Sequence, residues 1–269
     1  MSESASLTDP GCANIRGVGA LDGQVAIVTG AGQGIGRGVA LAVAAEGARV
    51  MVLGRTVAKC ESVVEEIHAK GGVAIAERCD IERRDEVEAS VQRTIDSWGR
   101  IDLLVNNAQT KVYASLRRMT EADMETMWQS GPMASFRLMQ ACFPYLRESR
   151  GCIVNMGSGS SILPLGAMSG YAMTKEAVRV LSRVGAVEWG RFGIRVNAIC
   201  PLAATPGFEE FDDATSSSSE ELVVPQVPLG RLGDPEADIG RAVVYLASKD
   251  GGYITGTTLM VDGGYNYLR

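Results

Sequence analysis

Short apolar runs alternate with longer stretches of helical periodicity from Leu21 to the C-terminus. Apolar runs bounded by glycine and polar residues are typical of buried parallel strands, which lie between two layers of helices. Strands are predicted at Val25–Thr29, Arg49–Leu53, Val73–Cys79, Ile101–Asn106, Cys152–Met156 and Ile194–Ile199, and Thr258–Val261 fits a seventh. The regular spacing of the runs leaves room for one helix after almost every strand.

The stretches between these runs carry helix start and stop signals. Thr120 to Asp123 resembles a capping box, and Asp234 followed by Pro235 is a typical helix start. Helices are predicted up to Glu46, at Thr56–Lys70, from about Arg83 to Trp98, from Thr120 to about Leu146 with an interruption at Gly131-Pro132, from Ser169 to Gly190, and from Asp234 onward. This alternation predicts an α/β fold, a single doubly wound domain with a parallel sheet of about seven strands and helices on both faces. Residues 1–20 lack periodicity and are interpreted as a flexible N-terminal arm, with the domain spanning residues 21–269.

Composition narrows the classes of function. The 269 residues carry a net charge of −6 without a basic run, which argues against binding to nucleic acid or anionic membranes. The six scattered cysteines form no Cys-x-x-Cys pair and predict reduced, mostly buried thiols in a cytoplasmic protein. His68 is the single histidine, so neither a histidine triad nor a multi-histidine metal site is expected. No apolar run is long enough for a membrane span, and the first residues lack a signal-peptide pattern.

A glycine-rich turn follows the first predicted strand. Residues 29–36 read Thr-Gly-Ala-Gly-Gln-Gly-Ile-Gly, with Gly30, Gly34 and Gly36 in a T-G-x-x-x-G-x-G spacing. Glycines in such a turn let the backbone approach a pyrophosphate, and the helix that follows presents free N–H groups to the phosphates. The turn therefore predicts a nucleotide site in a Rossmann-type fold.

Four motifs together resemble the short-chain dehydrogenase/reductase family. They are the glycine-rich turn, Asn106-Asn107-Ala108, Tyr171-x-x-x-Lys175 and Val261-Asp262-Gly263-Gly264, and the resemblance runs from Leu21 to the C-terminus. It implies an oxidoreductase that moves a hydride between a nicotinamide dinucleotide and a ketone or secondary alcohol, assembled as a homodimer or homotetramer. The cofactor-binding residues expected are Gly30, Gly32, Gln33, Gly34, Ile35, Gly36, Arg55, Asp80, Ile81, Asn107, Ala108, Tyr171, Lys175, Pro201 and Thr205.

The end of the second strand bears on the choice of dinucleotide. An acidic residue there would bind the ribose 2′-hydroxyl of NAD, but Gly54 takes its place and Arg55 follows. A guanidinium suits the 2′-phosphate of NADP, so NADP is favoured, with NAD as the alternative. Two points count against NADP: Gln33 lies where many NADP-using relatives carry a basic residue, and Arg55 also fits a solvated residue at a strand end.

Tyr171 and Lys175 are spaced to lie one turn apart on the same face of a helix. A neighbouring ammonium is expected to lower the pKa of the phenol and make it a usable base. By resemblance, Ser158 is the catalytic serine that holds the substrate oxygen, with Ser160 and Ser161 as rivals if the register slips. The expected catalytic residues are thus Ser158, Tyr171 and Lys175.

The sequence departs from the family pattern at three places. Gly131 stands where relatives usually carry an Asn, and Gln109 replaces the glycine that usually follows Asn-Asn-Ala. Leu202 replaces the usual glycine after Pro201, and the stretch up to Thr205 looks one residue short. The departures at Gly131 and Leu202 are the best support for an alternative, a dinucleotide-binding protein without turnover. A third hypothesis is another family reaction, such as enoyl reduction.

Residues 202–233 occupy the substrate-lid position of the family and are polar and without periodicity. Phe208 and Phe211 are candidates to close over a substrate, and the acidic residues beside them also fit a solvated face. A partly apolar pocket is indicated nearby by Ile162, Leu163, Pro164, Leu165 and Leu202.

Overall fold

Parallel strands form one continuous sheet in the computed structural model of the protein, which describes residues 19–163, 166–206 and 218–266. The strands are β1 (Val25–Thr29), β2 (Arg49–Gly54), β3 (Val73–Arg78), β4 (Leu103–Asn106), β5 (Cys152–Met156), β6 (Arg195–Pro201) and β7 (Thr258–Val261). Their order in the sheet is β3-β2-β1-β4-β5-β6-β7, and all six neighbouring pairs are parallel. The predicted doubly wound sheet of about seven strands is confirmed.

Helices cover both faces of this sheet. They are α1 (Gly34–Ala45), α2 (Val57–Ala69), α3 (Arg84–Trp98), α4 (Glu121–Trp128), α5 (Ala134–Ser149), α6 (Ser169–Trp189), α7 (Ser219–Val223) and α8 (Arg241–Ala247). Two π-helical segments, Gln129–Met133 and Pro235–Gly240, lead directly into α5 and α8. Short 3₁₀ turns lie at Gly159–Ser161, Gly190–Phe192, Val224–Gln226 and Lys249–Gly251. No helix among the described residues is long and apolar enough to cross a membrane.

The strands alternate their side chains between two apolar layers. In β1, Ala26 and Val28 pack with α1, α2 and α8, whereas Ile27 packs on the opposite side with α3 and α5. Every residue of β1, β4 and β5 is buried, which explains why these strands read as continuous apolar runs in the sequence. The five cysteines of the described part are free and buried, as the sequence predicted.

The chain changes winding direction between β1 and β4. From β1 it moves outward through β2 to β3, then returns across the sheet to β4 and continues to β7. At such a reversal the connections after the two central strands diverge to opposite faces and leave a crevice at the carboxyl edge of the sheet. The glycine-rich turn after β1 and the loop after β4 therefore face each other across this crevice.

The helix predicted to be interrupted at Gly131-Pro132 does not break. Its residues stay helical from Glu121 to Ser149, and the turn around Pro132 widens into the π segment Gln129–Met133. Proline lacks an N–H and its ring collides with the carbonyl one turn back, and the wider π turn relieves both problems. The regular α-helix is thus interrupted at the predicted place, but by a π-helical turn and not by a non-helical break.

Two other helix starts follow the sequence. The Thr120 hydroxyl accepts a hydrogen bond from the Asp123 N–H, and the Asp123 carboxylate accepts one from the Thr120 N–H. The Asp234 carboxylate accepts bonds from the two N–H groups at positions 236 and 237. Within 202–233, where no element was predicted, α7 forms. Phe208 and Phe211 lie outside the described residues, as does the predicted N-terminal arm apart from residues 19 and 20.

Candidate active site

A cleft of about 640 Å³ opens at the carboxyl edge of the sheet, along the crevice between β1 and β4. The residues that line it follow the ends of six strands, from Gly30 after β1 to Pro201 at the end of β6. Every residue expected to bind the cofactor lines this cleft except Gly36. The structure thus gathers in one cavity residues that are up to 175 positions apart (30 to 205) in the sequence.

Gly36 belongs to the packing beneath the cleft. A Cβ at this position would lie 2.3 Å from the Gly30 carbonyl oxygen and 2.6 Å from Asn107 Nδ2, so only glycine lets α1 approach the turn this closely. Asn107 completes the contact, because its Nδ2 donates to the Thr29 carbonyl oxygen at 2.9 Å. Gly30 itself has a φ of +61°, in the region where glycine is favoured.

The N-terminus of α1 faces the cleft without a side-chain cap. Gln33 occupies the N-cap position and makes no capping hydrogen bond, and the first turn contains no acidic residue. The free N–H groups and the positive end of the helix dipole favour an anion at this place. A pyrophosphate therefore fits the glycine-rich turn.

Two cationic side chains lie at the far end of the cleft. Arg55 follows β2, and Lys59 reaches over from the first turn of α2, where its Nζ donates to Gln33 Oε1 at 2.6 Å. Sequence analysis missed Lys59, although its position in the first turn after β2 places it at the same edge of the sheet. A Cβ at Gly54 would lie 2.8 Å from Cys60 Sγ, so the backbone has little room for a carboxylate side chain there.

Asp80 and Ile81 line the same end of the cleft, after β3. The Asp80 carboxylate accepts a hydrogen bond from the Glu82 N–H at 3.1 Å, and the Asp80 N–H donates to Glu86 Oε2 at 2.8 Å. These bonds fix the loop that leads into α3, so Asp80 stabilises the loop and also faces the cleft.

A second cavity of about 150 Å³ adjoins the cleft, and Tyr171 lines both. Ser158 also lines the smaller cavity, and hydrogen bonding from its side chain lowers the pKa of Tyr171. Ser160 Oγ lies 2.8 Å from Ser158 Oγ, whereas Ser161 Oγ turns away to the Ser158 carbonyl oxygen at 2.9 Å. Of the three serines, Ser158 is the one whose side chain affects the pKa of Tyr171.

Lys175 lies below the Tyr171 ring, with its Nζ 5.5 Å from the ring centroid. Its side chain is buried, and its Nζ donates to the Met156 carbonyl oxygen at the end of β5. A second ammonium, that of Lys111, lies 5.6 Å from the same centroid. Burial lowers the pKa of Lys175 from 10.5 to about 7, with a smaller contribution from the charge of Lys111.

The pKa of Tyr171 moves in the direction opposite to the one expected. Burial raises it above its ordinary value of 10.0, the nearby Tyr113 raises it further, and the hydrogen bond with Ser158 lowers it by less. The expectation considered the positive charges near the phenol and left out its burial. In the structure both groups are buried, so desolvation disfavours the phenolate and the ammonium alike.

The smaller cavity is largely apolar on the side away from the cleft. Leu163 and Leu202, two of the apolar residues expected near the substrate, line it, and so do Met168 and Val223. Ile162 is not among its lining residues, and residues 164 and 165 lie outside the described part of the chain.

The C-terminal motif after β7 closes the end of this cavity. The Asp262 carboxylate accepts hydrogen bonds from the N–H groups of Gly264 at 3.1 Å and Asn266 at 2.8 Å. These bonds fold the loop so that Tyr265 and Asn266 line the cavity. The motif Val261-Asp262-Gly263-Gly264 thus shapes the site through the Asp262 carboxylate and the backbone N–H groups that it binds.

Two departures from the family pattern meet in space. Gln109 lies against the backbone of Gly131, where a Cβ would be 2.7 Å from Gln109 Nε2 and 2.8 Å from its Cδ. The long side chain at position 109 occupies the space that a side chain at position 131 would need. The two departures are therefore linked, because the larger residue at position 109 fills the space left free by the smaller residue at position 131.

Comparisons with known proteins agree with this architecture. The profile of the family described as Enoyl-(Acyl carrier protein) reductase matches residues 30–266. A 12α-hydroxysteroid dehydrogenase of Clostridium sp. is 40% identical over 255 residues, covering 92% of this chain and 98% of that enzyme. A 3-oxoacyl-(acyl-carrier-protein) reductase, FabG of Staphylococcus aureus, is 37% identical over 243 residues, covering 89% and 96%.

A solved structure shows the same arrangement. A 7α-hydroxysteroid dehydrogenase complexed with NADH and 7-oxo glycochenodeoxycholic acid superposes with a TM-score of 0.85 and 33% identity, covering 92% of this chain and 96% of that one. Its ligands are a nicotinamide dinucleotide and a steroid ketone. Sequence motifs, sheet order and relatives point to the same group of enzymes. The chain belongs to the short-chain dehydrogenase/reductase family of oxidoreductases, whose members named here act on alcohol and carbonyl groups.

Proposed function

We propose that this protein transfers a hydride between NADP(H) and a ketone or secondary alcohol, with Ser158, Tyr171 and Lys175 as its catalytic residues. The observation that carries the proposal is the position of Tyr171 at the junction of the two cavities, with Ser158 lining the same small cavity and Lys175 below the ring. A protein that only binds dinucleotides needs no tyrosine, lysine and serine at this junction.

The bound dinucleotide supplies or accepts the hydride. In reduction, Tyr171 donates its hydroxyl proton to the substrate oxygen as general acid, and Ser158 donates a hydrogen bond to the same oxygen. In oxidation, Tyr171 accepts the proton of the alcohol. Lys175 keeps the Met156 carbonyl oxygen as one partner, and it also lines the cleft.

The cleft favours NADP through its charge. Arg55 and Lys59 both line the cleft after the second strand, and Gly54 offers no carboxylate of the kind that NAD selection uses. Lys59 lies beside Gln33 and supplies the positive charge that position 33 lacks. Guanidinium and ammonium groups form charge-assisted hydrogen bonds with a 2′-phosphate.

NAD is the alternative cofactor, and it is favoured by the related 7α-hydroxysteroid dehydrogenase with bound NADH. A fluorescence titration of the protein with NADPH and NADH separates the two. We expect NADPH to bind at least about tenfold more tightly, because a charge-assisted contact contributes roughly 1.5–3 kcal/mol. Tighter binding of NADH contradicts the choice of NADP and leaves the catalytic proposal unchanged.

For the substrate, we propose a secondary alcohol on a bulky apolar skeleton such as a hydroxysteroid. Leu163, Met168, Leu202 and Val223 offer an apolar wall beside Ser158 and Tyr171, and two of the relatives act on hydroxysteroids. The runner-up is a 3-oxoacyl thioester, the class used by the related reductase.

An assay of cofactor absorbance with a panel of substrates tests this function. The panel contains 12α- and 7α-hydroxylated bile acids, their ketones, a 3-oxoacyl thioester and an enoyl thioester. Turnover of a hydroxysteroid or its ketone is expected. Turnover of the enoyl thioester alone would replace ketone reduction by enoyl reduction, and no turnover in the whole panel would favour a protein that binds dinucleotides without catalysis.

We also propose that the protein is a homodimer or homotetramer. Four apolar residues of α6, Met173, Val180, Val184 and Val187, are between 43% and 84% exposed. Their spacing places them on one face of the helix, and such a face is usually covered by a partner. Light scattering at micromolar concentration, compared with a Val180→Lys, Val184→Lys variant, measures the assembly. We propose a cytoplasmic location as well. The five cysteines of the described residues are free and buried, which fits a reducing compartment.

A further inference from the structure

Gln109 connects the loop after β4 to the helix that carries Tyr171. Its Nε2 donates a hydrogen bond to Thr174 Oγ1 at 2.7 Å, and the Thr174 hydroxyl donates to the Tyr171 carbonyl oxygen at 2.9 Å. Thr174 is completely buried and lies one position before Lys175. Two side-chain hydrogen bonds therefore link Gln109 to the backbone of Tyr171 in the first turns of α6.

The Gln109 carboxamide lies in a space that glycine creates. Gly131 is buried in the π segment, and a Cβ there would lie 2.7 Å from Gln109 Nε2, 2.8 Å from Cδ and 3.0 Å from Oε1. Contacts under 3.0 Å require movement, so any larger residue at position 131 displaces the carboxamide from Thr174. The hydrogen bond to Thr174 thus depends on the glycine at position 131.

Gln109 Oε1 is buried and has no hydrogen-bond partner among the described residues, while the rest of the side chain lines the large cleft. An unpaired buried acceptor is unfavourable, so packing alone does not account for an amide at this position. A methionine would fill the same space without that penalty. The bond from Nε2 to Thr174 is the specific contribution that an amide makes.

We propose that Gln109 and Gly131 act as a pair that positions the Tyr171–Lys175 turn of α6 for catalysis. The inference rests on the proposed function, because it assigns Gln109 as a positioning residue for that reaction. Proton donation by Tyr171 requires its hydroxyl to stay within hydrogen-bond distance of the substrate oxygen, and small displacements of a reacting group reduce rates strongly. Without the Gln109 amide, the Tyr171–Lys175 turn loses the hydrogen bond that links it to the loop after β4.

Four variants test the pair: Gln109→Ala, Gly131→Ala, the double variant Gln109→Ala/Gly131→Ala and the double variant Gln109→Ala/Gly131→Asn. For each, kcat, the Kd of NADPH from fluorescence and Tm are measured. Gln109→Ala is expected to lower kcat about tenfold and to change the Kd by less than about twofold, because the phosphate contacts lie elsewhere. Gly131→Ala alone is expected to lower Tm by roughly 2–6 °C through the clash.

The two double variants separate positioning from packing. Replacing Gln109 by Ala makes room for a Cβ at position 131, so both doubles should recover the Tm lost in Gly131→Ala, a non-additive effect. An Asn carried on that Cβ returns an amide to the same volume and should restore kcat to within about threefold of the wild type. The alanine double should stay as slow as Gln109→Ala.

Full kcat in Gln109→Ala overturns the inference, and so does an equal kcat in the two double variants. The wild type is measured in the same assay, so a failure of the proposed reaction appears in the wild type itself. A failure of the positioning role appears only in the comparison among variants, with the Kd and Tm values showing that each variant is folded and binds the dinucleotide.

Discussion

The Lys175 ammonium donates a hydrogen bond to the main-chain carbonyl oxygen of Met156 at 2.6 Å, although the Lys175 side chain is 96% buried (4% exposed). This bond ties the first turns of α6 to the end of β5, next to the Gly157–Ser158 loop. A buried ammonium with one carbonyl partner is poorly solvated, and its pKa falls to about 7 for that reason. The group proposed to support catalysis therefore lowers the stability of the fold.

Replacing Lys175 by methionine is expected to stabilise the protein while abolishing activity. Burial of the ammonium costs the native state free energy, so the variant should gain about 2 kcal/mol in the free energy of unfolding at pH 7. Urea denaturation at several pH values measures this difference. A matched Lys249→Met change at an exposed position should leave stability unchanged.

The difference between Lys175→Met and wild type should depend on pH with a definite sign. The folded pKa is about 7 and the ordinary value is 10.5, so between these values the unfolded chain holds a proton that the folded chain has lost. The contribution of Lys175 to the free energy of unfolding of the wild type therefore rises as the pH increases from about 7 to 10.5. The advantage of methionine should be largest at pH 7 and below and should shrink toward pH 10.5. A constant difference would show that Lys175 is not the titrating group.

Removing the Tyr171 hydroxyl tests general acid catalysis directly. Tyr171→Phe should lower kcat by about 10²–10⁴-fold, because the substrate oxygen loses its proton donor. The Kd of NADPH and the Tm should change little, since a buried ring remains in place. Tyr253→Phe is the matched control, because the Tyr253 side chain is fully exposed. A folded Tyr171→Phe variant that binds cofactor and keeps full activity excludes Tyr171 as the acid.

Ser158→Ala should lower kcat by about 10²–10³-fold through loss of one hydrogen bond to the substrate oxygen. Ser160 lies 2.8 Å from the Ser158 hydroxyl and lines the same cavity. Ser160→Ala is therefore the control, and it should reduce kcat by less than about tenfold. A larger loss with Ser160→Ala than with Ser158→Ala would reverse the assignment of the serine.

Arg55→Ala and Lys59→Ala should each raise the Kd of NADPH by about 10–100-fold and leave that of NADH nearly unchanged. The reason is that both cations lie beyond Gly54, where a 2′-phosphate is the feature that distinguishes the two cofactors. Lys249→Ala removes one charge at an exposed site away from the cleft and serves as the control. An equal increase in the Kd of NADPH and of NADH would mean that the two cations do not bind the 2′-phosphate.

Gly36→Ala should destabilise the protein by about 1–3 kcal/mol, because its Cβ would lie 2.3 Å from the Gly30 carbonyl oxygen. Gly190→Ala is the matched control: Gly190 has a φ of −55°, and no atom lies within 4 Å of a Cβ built there. That change should be neutral or slightly stabilising. Thermal denaturation of both variants measures the contrast, and equal effects would contradict the close packing of α1 on the turn.

Local patterns in the sequence were sufficient for the elements of the fold. The buried strands are apolar runs in the sequence because both faces of the sheet are covered. Thr120 and Asp234 indicated helix starts because their capping hydrogen bonds join residues within three positions of each other. The glycine-rich turn after β1 and the spacing of Tyr171 and Lys175 could also be recognised in the sequence, because each involves residues that are close together along the chain.

Tertiary structure alone decided the features that depend on distant residues. It brought Lys59 to Gln33 and Gln109 to Gly131, and it reversed the expected direction of the Tyr171 pKa. Contacts across the sheet edge depend on how two loops are folded over the strands, and a pKa depends on how much water the finished core excludes. Neither quantity is encoded in any short segment, because both arise from packing between parts of the chain that meet only after folding.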